Sequence, residues 1–199
     1  MNNAVNKIVA SVSKVFSSKS ADKDINIIRL DSVKSTNDYL MSYKQENSEK
    51  ITVAIAKEQT AGRGQGTNHW ESEPGKNLTF SILVHPTMVP LASQFLLSEM
   101  EALAMYDVLC DILGKDDVKM KWPNDIYWKD KKLSGTLIET RVGGNHVKDC
   151  IFGTGINVNQ EKFFSDAPNP VSMYQILGHE TDLNQLLSKL LESFKKYYS

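Results

Sequence analysis

The chain has 199 residues, of which 41% are hydrophobic and 24% charged, and its formal net charge is −1. This composition is typical of a globular protein with one sizeable core, and it excludes the strong positive field of most nucleic-acid-binding proteins. No uncharged apolar segment approaches the ~18 residues of a membrane-spanning helix, so we expect neither a nucleic-acid nor a membrane partner.

Residues 1–24 are rich in Ser, Asn and Lys. Apolar residues recur there at helical spacing: Val5, Ile8, Val9, Val12 and Phe16. The pattern predicts a leader or a short helix. A targeting peptide is the alternative, but such peptides are usually rich in arginine and this stretch has none. Residues 25–199 contain no repeat or linker and are predicted to form one domain.

Short segments with strand character follow along the chain: 25–30, 51–57, 78–85, 118–122, 126–128, 133–140 and 147–159. "PND", "KDKK" and "GGN" are turn signals between the later segments, and "GGN" at 143–145 is typical of a hairpin. The pattern therefore predicts a sheet with several antiparallel connections.

Helical patterns lie between and after the strands. Ser35, with Asp38 three residues later, resembles a capping box and predicts a helix to about Gln45. A long apolar stripe begins at Pro90 and ends before Gly114, and residues 181–198 form an amphipathic pattern. The predicted fold class is α+β, a mixed β-sheet with flanking helices.

A polar, glycine-rich loop occupies residues 58–76. It is not a P-loop, because no Gly-Lys-Ser/Thr follows at the required spacing. It is not a dinucleotide fingerprint either, because Thr67 stands at the position of the third glycine. Its glycines and its length favour a mobile flap that covers a ligand. The large side chain of Trp70 would then lie against that ligand. The alternative is a plain surface hairpin.

The two cysteines, Cys110 and Cys150, are too few for a disulfide framework. They indicate reduced thiols in a cytoplasmic protein. The four histidines are scattered without metal-ligand spacing, so we expect no structural transition metal.

Four stretches, in this order and spacing, resemble the biotin protein ligase family: "STN" (35–37), "QTAGRGQ" followed by Trp70 (59–70), "KWPNDIYWKDKKLSGTLIE" (121–139) and "GTGINVN" (153–159). The resemblance implies a catalytic domain similar to that of class II aminoacyl-tRNA synthetases. It also implies ATP-dependent activation of biotin to biotinyl-5′-AMP, and transfer to a lysine of the biotin carboxyl carrier domain of a carboxylase.

The resemblance assigns the catalytic roles. Lys132 of "KKLSG" corresponds to the family lysine that contacts the biotin carboxylate and the phosphate, where attack builds negative charge. Lys121 is a second, supporting cation, and Asp125 orients a lysine or Mg²⁺. No protein metal ligand is predicted beyond Asp125, because Mg²⁺ enters with ATP. Lys129 and Lys131 are interpreted as solvated turn residues.

The resemblance also assigns ligand contacts. The residues implied for biotin are Ser35, Thr36, Asn37, Gln59, Arg63, Gly64, Gln65, Lys132 and Gly135. Those implied for the nucleotide are Trp70, Asn124, Asn157 and Arg63. Without the resemblance, Ser35 and Thr36 would be interpreted as helix caps and Asn124 as a turn residue. Trp122 is predicted to be a core residue.

The sequence also departs from the family. Gln65 stands where arginine is common, which predicts a weaker contact with the ligand's anionic oxygens. Residues 1–24 and 25–199 are assigned to a leader and a catalytic domain, without the DNA-binding domain or C-terminal β-barrel of some relatives. A homodimer is compatible with the resemblance. The rival interpretations are a lipoate or octanoate ligase and a binding protein without turnover.

Overall fold

The computed structural model describes residues 25–44, 50–165 and 167–198, and the predictions for residues 1–24 and for Gln45 lie outside them. The strands are β1 Ile25–Val33, β2 Ile51–Gln59, β3 Leu78–Val84, β4 Val118–Lys121, β5 Asp125–Trp128, β6 Lys131–Gly143 and β7 His146–Ile156. The helices are α1 Thr36–Ser42, α2 Phe95–Leu113, α3 Met173–Leu177 and α4 Leu183–Tyr198, with a 3₁₀ turn at Leu91–Ser93.

The strands form one seven-stranded sheet in the order β1-β2-β3-β7-β6-β5-β4. β1 and β2 pair in parallel, and the other neighbours are antiparallel. β6 and β7 are the longest pair and are joined by a turn at Gly144 and Asn145, where the sequence predicted a hairpin. This mixed sheet with flanking helices confirms the predicted fold class.

The sheet divides the domain into two layers. α2 and α4 pack on one face, where Phe80 and Ile82 of β3 join the main hydrophobic core. α1 packs on the other face through Leu40, which is fully buried against β1 and β2. Side chains alternate along a strand, so Ser81 of β3 points toward α1. The candidate site described below lies on this second face.

The start of α1 is capped as the sequence predicted. The Ser35 side chain accepts a hydrogen bond from the main-chain N–H of Asp38, and the helix ends at Ser42, a little earlier than expected. Helix α3 was not predicted, because it has only five residues. Its Ser172–Gln175 capping box was the sequence signal for it.

The prediction that Trp122 belongs to the core is wrong. Its side chain is 78% exposed. It follows the last residue of β4 and precedes Pro123, so it lies where the chain leaves the sheet and no layer covers it. Within the described ranges, no helix is both long and apolar enough to span a bilayer.

Candidate active site

The floor of the site is main chain rather than side chain. β6 and β7 place Gly135 opposite Gly155 in register, with Gly153 two residues earlier on β7. A methyl group on Gly153 would overlap the Asn37 amide, and one on Gly155 would overlap the Trp70 indole. These glycines therefore let "STN" and the flap (residues 61–70) lie directly on the sheet.

A first compartment of about 180 Å³ lies between α1, the flap and this floor. Its buried polar end is built from "STN". The Thr36 N–H and hydroxyl lie 2.8 and 3.0 Å from Gln59 Oε1, and Ser81 Oγ lies 2.6 Å from both Thr36 Oγ1 and Asn37 Oδ1. This hydrogen-bond network fixes several donors and acceptors at one end of a small pocket.

The flap is a short hairpin, not an irregular loop. The Trp70 N–H donates to Gly62 O at 3.1 Å, and the Gly64 N–H donates to Asn68 O at 2.8 Å. Gly66 turns the chain with φ of 66°, a conformation that favours glycine. The two strands of the hairpin bring Trp70 back over the sheet beside the first compartment.

The flap and "STN" belong to one ionic network. Arg63 lies 2.7 Å from Asp38 and 2.8 Å from Glu139, and the same Glu139 oxygen accepts a 2.8 Å hydrogen bond from Asn37 Nδ2. Glu139 of β6 therefore joins the flap arginine to the start of α1. In this state the Arg63 guanidinium is bound to carboxylates.

A second compartment of about 650 Å³ lies on the other side of the flap. Trp70 and Asn157 line it. Asn157 is 3% exposed; its amide nitrogen donates to Val171 O at 3.2 Å, while its Oδ1 has no partner. A buried acceptor without a donor is costly, so this oxygen is suited to a ligand N–H.

Lys132 and Asp125 lie at the junction of the two compartments and line both. The Lys132 Nζ is 2.7 Å from Asp125 Oδ2 and 6.0 Å from the centre of the Trp70 ring. Both side chains are about 30% exposed, at 30% and 28%. The arrangement places one positive charge between two pockets, held by a carboxylate. Among the described residues, no three His, Cys, Asp or Glu side chains cluster as a metal site.

A buried carboxyl group lies behind the floor. Glu101 of α2 is fully buried, and its Oε1 accepts hydrogen bonds from Thr154 at 2.9 Å and Thr136 at 3.1 Å. Burial raises the pKa of Glu101 to about 7, although both hydroxyl donors act in the opposite direction. Both threonines line the first compartment, so Glu101 is one side chain away from it.

Every residue predicted for the site except one lines a compartment. The first contains Ser35, Thr36, Asn37, Gln59, Arg63, Gly64, Gln65, Trp70, Asn124, Asp125, Lys132 and Gly135, and the second adds Asn157. Asn124, which the resemblance implies for the nucleotide, lines the first compartment, where its amide donates to Thr136 O and accepts from Ser98 Oγ. Lys121 lines neither. Its Nζ lies 4.8 Å from the centre of the Tyr127 ring.

The sequence analysis did not name lining residues such as Thr136, Gly153, Thr154 and Gly155. It also missed Ser81, Glu139 and Glu101, which hold lining residues from behind. Ser81 lies in the middle of an apolar strand, and Glu139 follows "KLSGTLI" on the floor strand. A polar residue inside an apolar run was the available signal for Ser81 and for Glu101, which lies on the core face of a long helix.

Comparison with known proteins relates this chain to protein ligases. The model of the biotin/lipoate A/B protein ligase family matches residues 30–157. The bifunctional ligase/repressor BirA of Bacillus subtilis is 30% identical over 178 residues, which are 87% of this chain and 54% of that protein. The biotin–[acetyl-CoA-carboxylase] ligase of Paracoccus denitrificans is 31% identical over 148 residues, 72% of this chain and 61% of that one.

Comparison with solved structures also finds a biotin protein ligase. A biotin protein ligase from Aquifex aeolicus, solved in complex with biotin and ATP, superposes with a TM-score of 0.73 at 30% identity over 86% of this chain and 69% of that one. This chain spans about half the length (54%) of the BirA protein of Bacillus subtilis.

Proposed function

Because the chain belongs to the biotin/lipoate A/B protein ligase family, we propose that it is a biotin protein ligase. It activates biotin with ATP to biotinyl-5′-AMP and transfers the biotinyl group to a lysine of a biotin carboxyl carrier domain. The observation that carries this proposal is the position of Lys132, which lines both compartments and so can contact two ligands at once.

Biotin occupies the first compartment in this proposal. Its ureido head needs fixed donors and acceptors, which Ser35, Thr36, Asn37 and Gln59 supply together. The small volume, about 180 Å³, excludes bulky ligands, and the glycine floor lets the bicyclic ring of biotin lie close to the main chain. The carboxylate end then points toward Lys132, at the open side of the compartment.

ATP occupies the second compartment in this proposal. Trp70 provides an aromatic surface, and the unpartnered Asn157 Oδ1 provides an acceptor for a base amino group. Mg²⁺ enters with the triphosphate, since this ion is usually held by phosphates, waters and one or two carboxylates. Asp125 is the carboxylate that lines both compartments and is therefore the proposed protein contact.

The chemistry follows from these positions. A biotin carboxylate oxygen attacks the α-phosphorus, the bond to the β-phosphate oxygen breaks, and pyrophosphate leaves. Lys132 neutralises the charge that builds on the phosphate, and Asp125 holds its ammonium in place beforehand. Lys121, beyond Tyr127, contributes only through its longer-range field.

In the second step of this proposal, the amine of the acceptor lysine attacks the acyl carbon and AMP leaves. The flap shields the mixed anhydride from water until that attack. The acceptor is the carrier domain of a carboxylase. We place the reaction in the cytoplasm, because Cys110 and Cys150 are both free thiols. A homodimer stays a prediction.

The test is pyrophosphate release from Mg–ATP with biotin, lipoate or octanoate as the second substrate. We expect pyrophosphate release with biotin and not with lipoate or octanoate. Release with lipoate or octanoate instead would assign the chain to the other branch of the family. Binding of biotin and ATP without release would make it a binding protein.

A further inference from the structure

Glu71 joins the flap to a different part of the chain. It directly follows Trp70, the last flap residue, but its carboxylate binds the main chain on the far side of the second compartment. Its Oε1 accepts the Phe164 N–H at 2.9 Å, and its Oε2 accepts the Ser165 N–H at 2.7 Å. We call residues 161–165 and 167–170 the distal wall.

The distal wall has few other attachments. Phe163, Ser165, Ala167, Pro168 and Pro170 from it line the second compartment. At one end the wall is attached to the sheet, because Asn169 O accepts the Lys132 N–H at 2.8 Å, but in the described part of residues 161–168 no main-chain to main-chain hydrogen bond reaches the sheet. The other links of residues 161–165 are side-chain amides: Gln160 Nε2 donates to Lys162 O, and Gln175 Nε2 donates to Glu161 O. The two N–H groups on Glu71 therefore fix the middle of the wall.

Glu71 is also bound to the rigid part of the domain. Gln160 is 2% exposed and donates to Glu71 Oε1 at 3.1 Å. The other end of this amide, Oε1, accepts from Asn77 at 2.6 Å and from the Glu73 N–H at 3.0 Å. The carboxylate thus lies between the sheet, the flap and the distal wall.

The carboxylate lines the second compartment, and its hydrogen bonds are made to Phe164, Ser165 and Gln160. Desolvation acts to raise the pKa of Glu71, but hydrogen bonds from Ser165, Phe164 and Gln160 outweigh it and the pKa is lowered. The group is therefore ionised near neutral pH. Hydrogen bonds to an ionised acceptor are the strong ones, so this contact can order a loop.

We propose that Glu71 is a positioning residue that holds the distal wall of the nucleotide compartment against the flap, so that nucleotide affinity depends on its carboxylate and biotin affinity does not. The inference rests on the proposed function, because it takes the second compartment as the nucleotide site. It adds a residue whose carboxylate acts through the main chain of Phe164 and Ser165.

The test uses the full chain and three variants. Glu71→Gln keeps the size but removes the charge, and Glu71→Asp keeps the charge but shortens the reach. Glu73→Gln is the matched control, since it removes the same charge two residues away, where only the main-chain N–H contacts Gln160. Calorimetric titration with a non-hydrolysable ATP analogue and Mg²⁺, and separately with biotin, gives both dissociation constants.

We expect Glu71→Gln to weaken binding of the analogue by about tenfold or more, the scale of one lost hydrogen bond to a charged group. Biotin binding stays within about twofold by the same reasoning, and Glu73→Gln binds both ligands as the wild type does. Hydrogen exchange at Phe164 and Ser165 increases in Glu71→Gln. If Glu71→Gln does not fold, Glu71→Asp replaces it in both measurements. Its loss of analogue affinity should be smaller, because the charge remains.

Equal analogue binding by the wild type and a folded Glu71→Gln would overturn the inference and leave the proposed function intact. An equal loss of biotin and analogue binding would also overturn it, because Glu71 would then act on the whole flap. A wild-type chain that binds biotin but no nucleotide would overturn the proposed function and this inference together.

Discussion

Lys132 and Asp125 form a 2.7 Å ion pair where the two compartments meet, and both side chains line the two compartments, as Trp70 does. The two residues lie on the neighbouring strands β6 and β5, and Gly135 faces Asp125 across the ladder. A side chain at Gly135 would crowd both the carboxylate and the ammonium. The pair is therefore pre-positioned, because glycine leaves it the space it occupies.

Replacement of the lysine tests this position. Lys132→Ala should slow pyrophosphate release by about 10²-fold or more, the scale for losing one pre-organised electrostatic group. Lys131→Ala is the control, because that neighbouring side chain is exposed. Thermal unfolding of both variants should match the wild type. Normal pyrophosphate release by a folded Lys132→Ala protein would exclude Lys132 as the catalytic cation.

The flap should be more protected when ligands are bound. Its hairpin has three internal main-chain hydrogen bonds, and most of its residues are exposed, so local opening should cost little free energy. Amide hydrogen exchange of residues 61–70, without ligand and with biotinyl-5′-AMP, measures the difference. Equal exchange in the two states would show that the hairpin is a rigid scaffold.

Gln65 tests the departure from the family pattern. Gln65 lines the first compartment beside Arg63, which is already bound to two carboxylates. In Gln65→Arg, a free guanidinium can bind anionic ligand oxygens, and release of biotinyl-5′-AMP should slow about ten- to a hundredfold. Single-turnover decay of preformed intermediate measures the rate. Unchanged decay in a folded variant would mean that the loop is adapted to glutamine.

The glycine floor gives a steric prediction. Gly153→Ala should displace Asn37 and weaken biotin binding by at least about tenfold, because a methyl group there overlaps the Asn37 amide. Gly143→Ala, near the other end of the same ladder, meets only ordinary contacts with Lys148 and is the control. Biotin titration compares the two. Unaltered binding by Gly153→Ala would show that Asn37 is free to move.

Glu101 gives a pH prediction for stability. Its folded-state pKa of about 7 lies above the usual carboxyl value of 4.5, so the folded state holds the proton longer than the unfolded state. Stability should therefore fall by about 3 kcal/mol as pH rises from 4.5 to 7, and then level off. Glu101→Gln should remove this slope, while Glu99→Gln, exposed on the same helix, should keep it. Denaturant unfolding at several pH values measures both, and identical slopes in wild type and Glu101→Gln would contradict the assignment.

Local sequence signals predicted the strands, the long helix and the Ser35 cap, since periodicity and capping depend on residues close in the chain. The "GGN" hairpin was also predicted from a local sequence signal. The order of strands in the sheet had no such signal. Ser81 and Asn37 meet only because β3 lies under α1, and Glu139 reaches Arg63 only because β6 lies beside the flap.

Trp122 and Lys121 show that belonging to a motif does not decide where a residue lies in the fold. Both belong to "KWPND", yet Trp122 is exposed and Lys121 lies over Tyr127, outside the compartments. Hydrophobicity favoured a core position for Trp122, but the end of an edge strand offers no layer to cover it. Lys132 differs from Lys121 because its strand, β6, lies inside the sheet, next to the glycine floor.

The packing of Trp70 on Gly155 also makes the site visible to spectroscopy. Of the three tryptophans, Trp122 is exposed and the Trp128 ring lies against the Lys129 ammonium, and neither lines a compartment. Trp70 alone among them lines both. A ligand that enters either compartment changes the surroundings of this indole, so its emission is an intrinsic signal of occupancy. With Trp122 and Trp128 replaced by phenylalanine, filling of the site can be followed in real time without a label.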